Sequence, residues 1–325
     1  MKTVFSILAL FTAVSLPAFE ARMRVVDDIG NPIEGANVVI EFVGALQAQS
    51  ESHRGKSNRD GYFSVRGESK LEVYMEAKKT GHYDARVDGL SPRRDLDELI
   101  VLPRILNPIP LFAWDIRVGR SAAVLHFPRQ DEWLGFDLQA GDWVRPQGKG
   151  IATDIRFRFR NGFKEWRFSE TAMANNRRVN RGASEDEIRS TFGKWDAELD
   201  ISFPGEKEGL FEETRFLAYS QLKLPHAAPA EGYGPTWHYT ANNYSPRTAR
   251  EKVGFFLRTR VKLDKEGKII SANYAKVVGD FYLVPQGSLL FAYYFNPVPN
   301  DRNLEFDPKK NLFPANFPGA NVNEP

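Results

Sequence analysis

Arg22-Met-Arg-Val-Val-Asp-Asp-Ile-Gly-Asn-Pro-Ile-Glu-Gly-Ala-Asn-Val38, taken with Ser57-Asn-Arg-Asp-Gly-Tyr-Phe-Ser-Val65, decides the reading of this chain. Met23 and Val25 alternate with Arg22 and Arg24, which is the period of a half-buried strand. Asp28-Ile-Gly-Asn-Pro32 supplies turn chemistry, because Gly30 tolerates a positive φ and Pro32 fixes its own. Val38, Ile40 and Phe42 then share one face, with Asn37 and Glu41 on the other. Gln47–Lys56 is polar and reads as a loop. Asp60-Gly61 is a hairpin signal, and Phe63 and Val65 follow it at period two. Leu71, Val73 and Met75 make a further strand, and Glu98–Leu102 closes a small sandwich.

In these turn and core positions, Arg22–Pro103 resembles the carboxypeptidase regulatory-like module, a transthyretin-type β-sandwich attached to many secreted proteins. The resemblance implies an architecture and a compartment. It implies no active site, so no catalytic residue is carried over. The long polar loop Gly44–Lys56 departs from the module's usual pattern and carries His53, a lone surface histidine to which no role is given.

The N-terminus has the layout of a secretory leader: Lys2, an apolar run from Val4 to Leu16, then Leu16-Pro-Ala-Phe-Glu-Ala21, with cleavage expected after Ala18. The run is too short to span a bilayer as a helix, and no second apolar stretch follows, so no transmembrane segment is expected. The chain has no cysteine, which removes disulfides and a cysteine-linked lipid anchor. Export without disulfides points to the periplasm or exterior of a Gram-negative-type bacterium. A formal charge of +2 calls for no nucleic acid or other polyanionic partner. Asn243-Tyr-Ser245 forms a glycosylation sequon, a match short enough to arise by chance.

About 300 residues beyond the leader read as two domains. Pro103-Arg-Ile-Leu-Asn-Pro108-Ile-Pro110 interrupts any ladder and marks the boundary. The expected organisation is therefore a leader over 1–18, the module over 19–103 and a Pro-rich linker over 104–110. A larger antiparallel β-domain, sandwich or jelly-roll-like, fills 111–325. Ile105, Leu106, Ile109 and Leu111 predict a linker packed on a domain. The fold class is all-β.

Within the C-terminal domain, Asp154–Arg160 and Phe163–Phe168 flank Asn161-Gly162, which predicts a two-residue hairpin. That register sets Phe157 against Trp166 and Ile155 against Phe168 on an apolar face. Arg158 would meet Glu165, and Arg156 would meet Arg167, on a basic one. The basic ribbon is either a solvated outer face or an anion- or acidic-glycan-binding strip. A second ribbon is expected at Val253–Leu263, with Asp264-Lys-Glu-Gly267 turning the chain into Ile269–Val278. Strands at Asp280–Val284 and Leu289–Phe295 follow. Ser184-Glu-Asp-Glu187 fits a capping box for one short helix that Gly193 ends.

Three places could carry chemistry. Gly232–Pro246 holds Tyr233, Trp237, His238, Tyr239 and Tyr244 among hydroxyls and amides, the mixture a sugar site needs. Tyr233, Trp237, His238 and Tyr244 are the candidate ligand-binding residues; the competing reading folds these rings inward. Asp301, Asn303, Glu305 and Asp307 alternate as calcium-loop oxygens would, but Phe306 occupies the EF-hand glycine position. The competing reading is a charged turn. Asp137, Asp142, Asp154, Asp196, Glu198 and Asp200 form a carboxylate set from which a glycosidase pair could be drawn. Asp196, Glu198 and Asp200 share one strand face, which equally describes the wet side of a sheet.

No Gly-x-Ser-x-Gly, His-Glu-x-x-His, phosphate-binding glycine loop or cysteine nucleophile is present, and no histidine spacing argues for zinc. No cofactor is expected. The leading expectation is an exported, non-catalytic binding or structural protein of the bacterial envelope, with a glycan or an envelope protein as partner. The alternatives are a carbohydrate-active hydrolase using the C-terminal carboxylates, and a protein-assembly module.

Overall fold

The computed structural model of the protein describes residues 18–325 apart from 47–49, 70, 92–93, 116–123, 180–181, 246–249 and 251. The leader expected over 1–18 lies outside the described residues except for Ala18. The chain divides into two compact units. One runs through Ile105 and includes Tyr219–Gln221; the other comprises Leu106–Ala218 and Leu222–Pro325. The architecture is all-β, in several sheets that are antiparallel apart from one strand pair.

The first unit contains β1 (Phe19–Val26), β2 (Asn37–Phe42), β3 (Glu51–Lys56), β4 (Tyr62–Gly67), β5 (Val73–Lys78), β6 (Ala85–Leu90) and β7 (Leu96–Val101). They form a three-stranded sheet β4-β1-β7 and a four-stranded sheet β3-β2-β5-β6. Only β1 and β7 pair in parallel. The alternation read from the sequence is the core: Ala21, Met23 and Val25 of β1 pack with Val38, Ile40 and Phe42 of β2 and with Val73 and Met75 of β5. The turn after β1 closes as its residues dictate. Asp27 accepts the backbone N–H groups of Ile29 and Asn31 on one carboxylate oxygen, and Gly30 takes φ +91°.

Two local expectations are corrected here. Glu51–Lys56 is strand β3 along β2, because Asn37–Phe42 presents a full ladder that the polar segment can satisfy; residues 47–49 lie outside the described set. His53 of β3 is half-buried, its ring edge-on to Phe42 at 5.6 Å. Asp60-Gly61 does turn the chain, with Gly61 N–H donating to Asn58 C=O at 2.9 Å. It does not make a hairpin, since β3 pairs with β2 and β4 with β1 in the other sheet. One segment arrives from far along the chain: Ser220 bridges Ala85, and Arg86 N–H donates to Tyr219 C=O at 2.8 Å.

The second unit begins with β8 (Phe112–Asp115), β9 (Leu125–His126), β10 (Trp133–Asp137), β11 (Asp142–Trp143) and β12 (Ile155–Trp166). Helices α1 (Glu170–Val179) and α2 (Glu185–Phe192) follow, then β13 (Gly193–Ser202), β14 (Gly209–Glu213) and β15 (Thr236–Asn242). The chain ends with β16 (Gly254–Leu263), β17 (Ile269–Val284) and β18 (Ser288–Asn296). One sheet has the order β11-β10-β12-β13-β15; the other has β14-β16-β17-β18-β8, with β9 also on β18. An aromatic core fills the space between them. Phe136, Phe157 and Phe159 come from the first sheet; Phe255, Phe281, Phe291 and Tyr293 come from the second.

The second sheet is covered on its other face as well. Phe256, Tyr274 and Tyr294 pack there with Leu111, Leu224, Leu304 and Phe306. Burial on both sides explains why Phe255, Phe256 and Leu257 run without alternation. Leu111 lies wholly inside this cluster and Ile109 packs against it, whereas Ile105 and Leu106 stay exposed.

The Asn161-Gly162 hairpin does not form. β12 runs straight through it, pairing Arg160 with Glu198, Asn161 with Ala197 and Gly162 with Asp196 of β13. A turn of that type needs positive φ at both central residues; neither adopts it. The long partner β13 matches Phe157 and Phe159 with Ile201 and Leu199, and the reversal passes to the two helices instead. Consequently Phe168 is exposed, and Arg158 meets Asp200 rather than Glu165. The capping box of α2 is present: Glu187 N–H donates to Ser184 Oγ and Ser184 N–H to Glu187 Oε2, with Gly193 at the C-cap. Helix α1 has no counterpart in the sequence reading.

Candidate binding groove

β15 stands at the edge of its sheet. Among the described residues its ladder partner is β13, with Tyr239 opposite Leu199 and Asn242 opposite Asp196. Across from its second half lies the end of β17 and the turn into β18, Tyr282–Gln286. Gly287 makes that turn tight, at φ +113° and with its N–H on Val284 C=O at 2.9 Å. Two side chains fix the turn from outside. Asn161 Nδ2 donates to Pro285 C=O at 2.7 Å, and Gln286 Nε2 donates to Ser190 C=O at 3.1 Å. Asn161, the residue that signalled a hairpin, thus anchors one wall of a groove.

This groove has a volume of about 380 Å³, and none of its lining side chains is charged. Tyr239, Thr240, Asn242 and Ser245 come from one wall, Tyr282 and Gln286 from the other. Asn242 Oδ1 accepts the N–H groups of Tyr244 and Ser245, which holds the amide in place. Among the described residues, its Nδ2 and the Thr240 hydroxyl have no hydrogen-bond partner. Tyr282 is 43% exposed, an aromatic surface left open to solvent.

A second groove, of about 430 Å³, lies on the outer face of the same sheet over Trp133, Arg158, Asp200, Thr236, Trp237 and His238. Its charges are spent on each other. Asp200 Oδ2 accepts Arg158 Nε at 3.1 Å and Nη2 at 2.9 Å, with Arg160 Nη2 at 3.0 Å; His238 Nδ1 lies 2.7 Å from Oδ1. Burial pushes the Asp200 carboxyl up, but the His238 and Arg158 hydrogen bonds and the Arg160 charge outweigh it, so it sits below the ordinary carboxylate range. Glu198 accepts Arg160 Nη2 at 2.6 Å, and the Arg158 guanidinium lies 4.9 Å from the Trp133 ring. Arg158 and Arg160 of the basic ribbon are therefore neutralised across the strands by Asp200 and Glu198.

The four predicted ligand-binding residues do not form one site. Tyr233 is stacked into the far face of the other sheet, its hydroxyl on Pro229 C=O at 2.8 Å and Arg258 4.4 Å from its ring. Burial raises its phenol above the ordinary value. Trp237 turns inward, edge-on to Phe255 at 5.5 Å. His238 points outward to Asp200. Tyr244 donates to Asp196 and accepts from Lys164 Nζ at 3.0 Å. The inward-folding reading holds for Tyr233 and Trp237. The uncharged groove instead takes Tyr239, Thr240, Asn242 and Ser245 from the same stretch, Tyr282 from a segment read as a strand only, and Gln286 from the turn after it. Trp133 was also missed; its signal was a large ring on the wet side of the Trp133–Phe136 alternation.

The remaining candidates have structural work. Asp137 accepts five N–H groups, from Gln139, Ala140, Ile151, Ala152 and Arg260 Nη2. Asp154 is fully buried and accepts Leu138 N–H and two Arg260 donors. Burial raises its carboxyl despite Arg260. Asp142 accepts Trp143 and Lys149 N–H groups. Asp196, Glu198 and Asp200 share the outer face of β13 as expected, but their partners are Tyr244, Arg160, Arg158 and His238, and of the three Asp200 alone lines the outer groove, so no carboxylate pair faces it.

The alternating Asp301, Asn303, Glu305 and Asp307 form a ladder of side-chain-to-backbone turns. Asp301 accepts Asn303 N–H, Asn303 accepts Glu305 N–H, and Asp307 accepts Lys309 N–H, each at 3.0 Å. Glu305 accepts Leu106 and Asn107 N–H groups at 2.9 and 2.7 Å. Among the described residues no group of three or more histidine or acidic side chains is arranged to hold a metal. No described helix is long and apolar enough to cross a membrane.

No protein-family profile matches the chain. No curated relative matches it either. Among solved structures it is similar to shaft pilin SpaA from Lactobacillus rhamnosus GG, at 15% identity and TM-score 0.22, over 28% of this chain and 48% of that one. It is similar to the minor pilin GBS52 of Streptococcus agalactiae, at 11% identity and TM-score 0.23, over 29% and 48%. A DUF3823 family protein from Parabacteroides merdae matches at 9% identity and TM-score 0.19, over 85% and 96%. The chain thus spans about half the length of those two pilins. At these scores the likenesses carry no functional argument.

Proposed function

We propose that this is an exported, non-catalytic binding protein of a Gram-negative-type bacterial envelope, and that it holds a neutral saccharide in the groove between β15 and the β17–β18 turn. The leader-like N-terminus supports export, and the lack of cysteine, hence of disulfides, supports a bacterial route over a eukaryotic one. The first unit serves as a carboxypeptidase regulatory-like module, a support without chemistry. The observation that carries the ligand class is the groove lining: an open tyrosine ring and several hydroxyl and amide side chains, with no charge among them. Apolar C–H faces of a pyranose stack on such a ring while its hydroxyls need directed partners.

The test is thermal unfolding of the protein against neutral and acidic oligosaccharides, followed by calorimetry on any ligand found. A ligand at about 100 times its Kd adds about 2.7 kcal/mol. A neutral glycan should raise Tm, and Tyr282→Ala should abolish the rise while Trp133→Ala leaves it. No response to any neutral glycan, or a response lost only in Trp133→Ala, refutes the groove. A second reading, protein assembly, is favoured by one observation: β15 is an edge strand whose described ladder partner is β13 alone. Light scattering after size exclusion decides it, since a monomer at high concentration removes pairing between copies.

A further inference from the structure

Lys276 sits in the middle of β17, between Phe256 of β16 and Tyr294 of β18. Its side chain is fully buried, and among the described residues its Nζ has no hydrogen-bond partner. The Nζ lies 4.5 Å from the centre of the Tyr294 ring. A ring face attracts an ammonium but does not replace the acceptors it had in water. The carboxylate acting on Lys276 belongs to Glu305, itself 1% exposed. Both oxygens of Glu305 are engaged: Oε1 accepts Leu106 N–H at 2.9 Å and Oε2 accepts Asn107 N–H at 2.7 Å. Those two amides are the start of the second unit, and the next contact, Ile109 bridging Phe306, depends on the same approach.

We propose that Lys276 and Glu305 form a proton-operated latch: with Lys276 neutral, Glu305 holds Leu106–Pro110 on the sheet, and with Lys276 charged, the ammonium competes for Glu305 and the segment is released. Burial lowers the Lys276 ammonium to about 7, with the charge of Glu305 pulling it back toward the ordinary value. The switch therefore operates near neutrality. Among the described residues, the other charged or titratable groups on this face include Arg258 of β16, which sits opposite Tyr274 and donates to Lys207 and Ala230 C=O. Tyr294 donates its hydroxyl to Glu324 C=O at 3.1 Å, and Glu324 pairs with Lys223 at 3.3 Å. Tyr274 lies two residues along β17 from Lys276. His226 Nε2 stands 4.0 Å from Glu305 Oε1 and is a rival for control of the same carboxylate.

Hydrogen exchange of the Leu106 and Asn107 amides in the whole chain, corrected for intrinsic rates, tests the latch between pH 5.5 and 9. Protection should fall about ten-fold for each pH unit as the pH descends toward the Lys276 midpoint and level off below it, as one titrating proton requires. Lys276→Met should keep both amides protected throughout, and His226→Gln should keep the wild-type profile. Flat protection in the wild type, a dependence surviving in Lys276→Met, or a dependence lost in His226→Gln overturns the proposal. If Lys276→Met does not fold, NMR of the wild-type lysine Nζ takes its place. A titration midpoint more than one pH unit from the loss of protection would be equally fatal.

Discussion

Removing Arg260 should damage the second unit severely, and its damage should depend on pH. Arg260 makes four hydrogen bonds: Nε to Asp154 Oδ1 at 2.8 Å, Nη2 to Asp154 Oδ2 at 2.9 Å and to Asp137 Oδ1 at 3.1 Å, and Nη1 to Gln139 at 2.8 Å. Asp154 is 0% and Asp137 2% exposed, so Arg260→Met strands two carboxylates away from water. Leaving a buried ion pair without one partner costs about 3–5 kcal/mol. Residue 260 keeps its φ of +53° in either form, so backbone strain does not differ between them. For a unit of this size the loss corresponds to a Tm fall of about 6–20 °C.

The pH dependence has a definite sign. Burial already holds the Asp154 carboxyl above its ordinary value, and Arg260 is the main opposing influence. Without the guanidinium it rises further, so the folded variant binds a proton that the unfolded chain has released. A raised carboxyl stabilises at low pH and loses that contribution as pH climbs through the folded value. Urea unfolding at pH 5 and pH 7.5 should show a destabilisation at least about 1 kcal/mol larger at the higher pH. Arg260→Met with Asp154→Asn should recover part of it. Equal losses at both pH values, or a loss below about 1 kcal/mol, would refute the argument.

Three further outcomes are expected. The folded Lys276 at about 7 against an ordinary 10.5 means the unfolded chain binds the extra proton between those values, so stability should rise from pH 7 to pH 10; Lys276→Met should be flat there and more stable at pH 7 by up to about 4 kcal/mol in urea titrations. Ser184→Ala removes the acceptor of Glu187 N–H and should cost about 1 kcal/mol in the same assay. Gly61→Ala should destabilise the first unit by about 1–3 kcal/mol, because φ there is +82° and a Cβ would lie 2.4 Å from Val25 C=O; an unchanged unfolding midpoint would contradict the turn geometry.

Features carried by neighbouring residues were legible in advance. The turn Asp264–Gly267 closes as read, with Asp264 Oδ1 accepting Glu266 and Lys268 N–H groups and Gly267 at φ +77°. The capping box of α2 also needs only four consecutive residues. Where a local signal competed with a distant partner, the partner prevailed. Asn161-Gly162 has the right residues for a turn, yet β13 matches ten positions of β12 and keeps it extended. Glu51–Lys56 is polar, yet the open ladder of β2 makes it a strand. The groove was half visible, as a polar aromatic stretch, because its other wall is a turn brought alongside by the stacking of two sheets.

The sequence by itself determined that the chain is all-β and, for the half-buried strands such as β2 and β13, which side is wet, because successive side chains on a pleated strand point to opposite faces whatever the strand pairs with. Val38, Ile40 and Phe42, or Leu199 and Ile201 against Glu198 and Asp200, required no neighbour to be read. Tertiary structure alone decided the pairing of those wet faces. Arg158 meets Asp200, 42 residues away, and neutralises a strip that looked basic. Glu305, in an alternation shaped like a calcium loop, is buried against Leu106 and Asn107, 198 or more residues earlier. Coulomb and hydrogen-bond energies depend on distances through space, and those exist only after the strands are ordered into sheets.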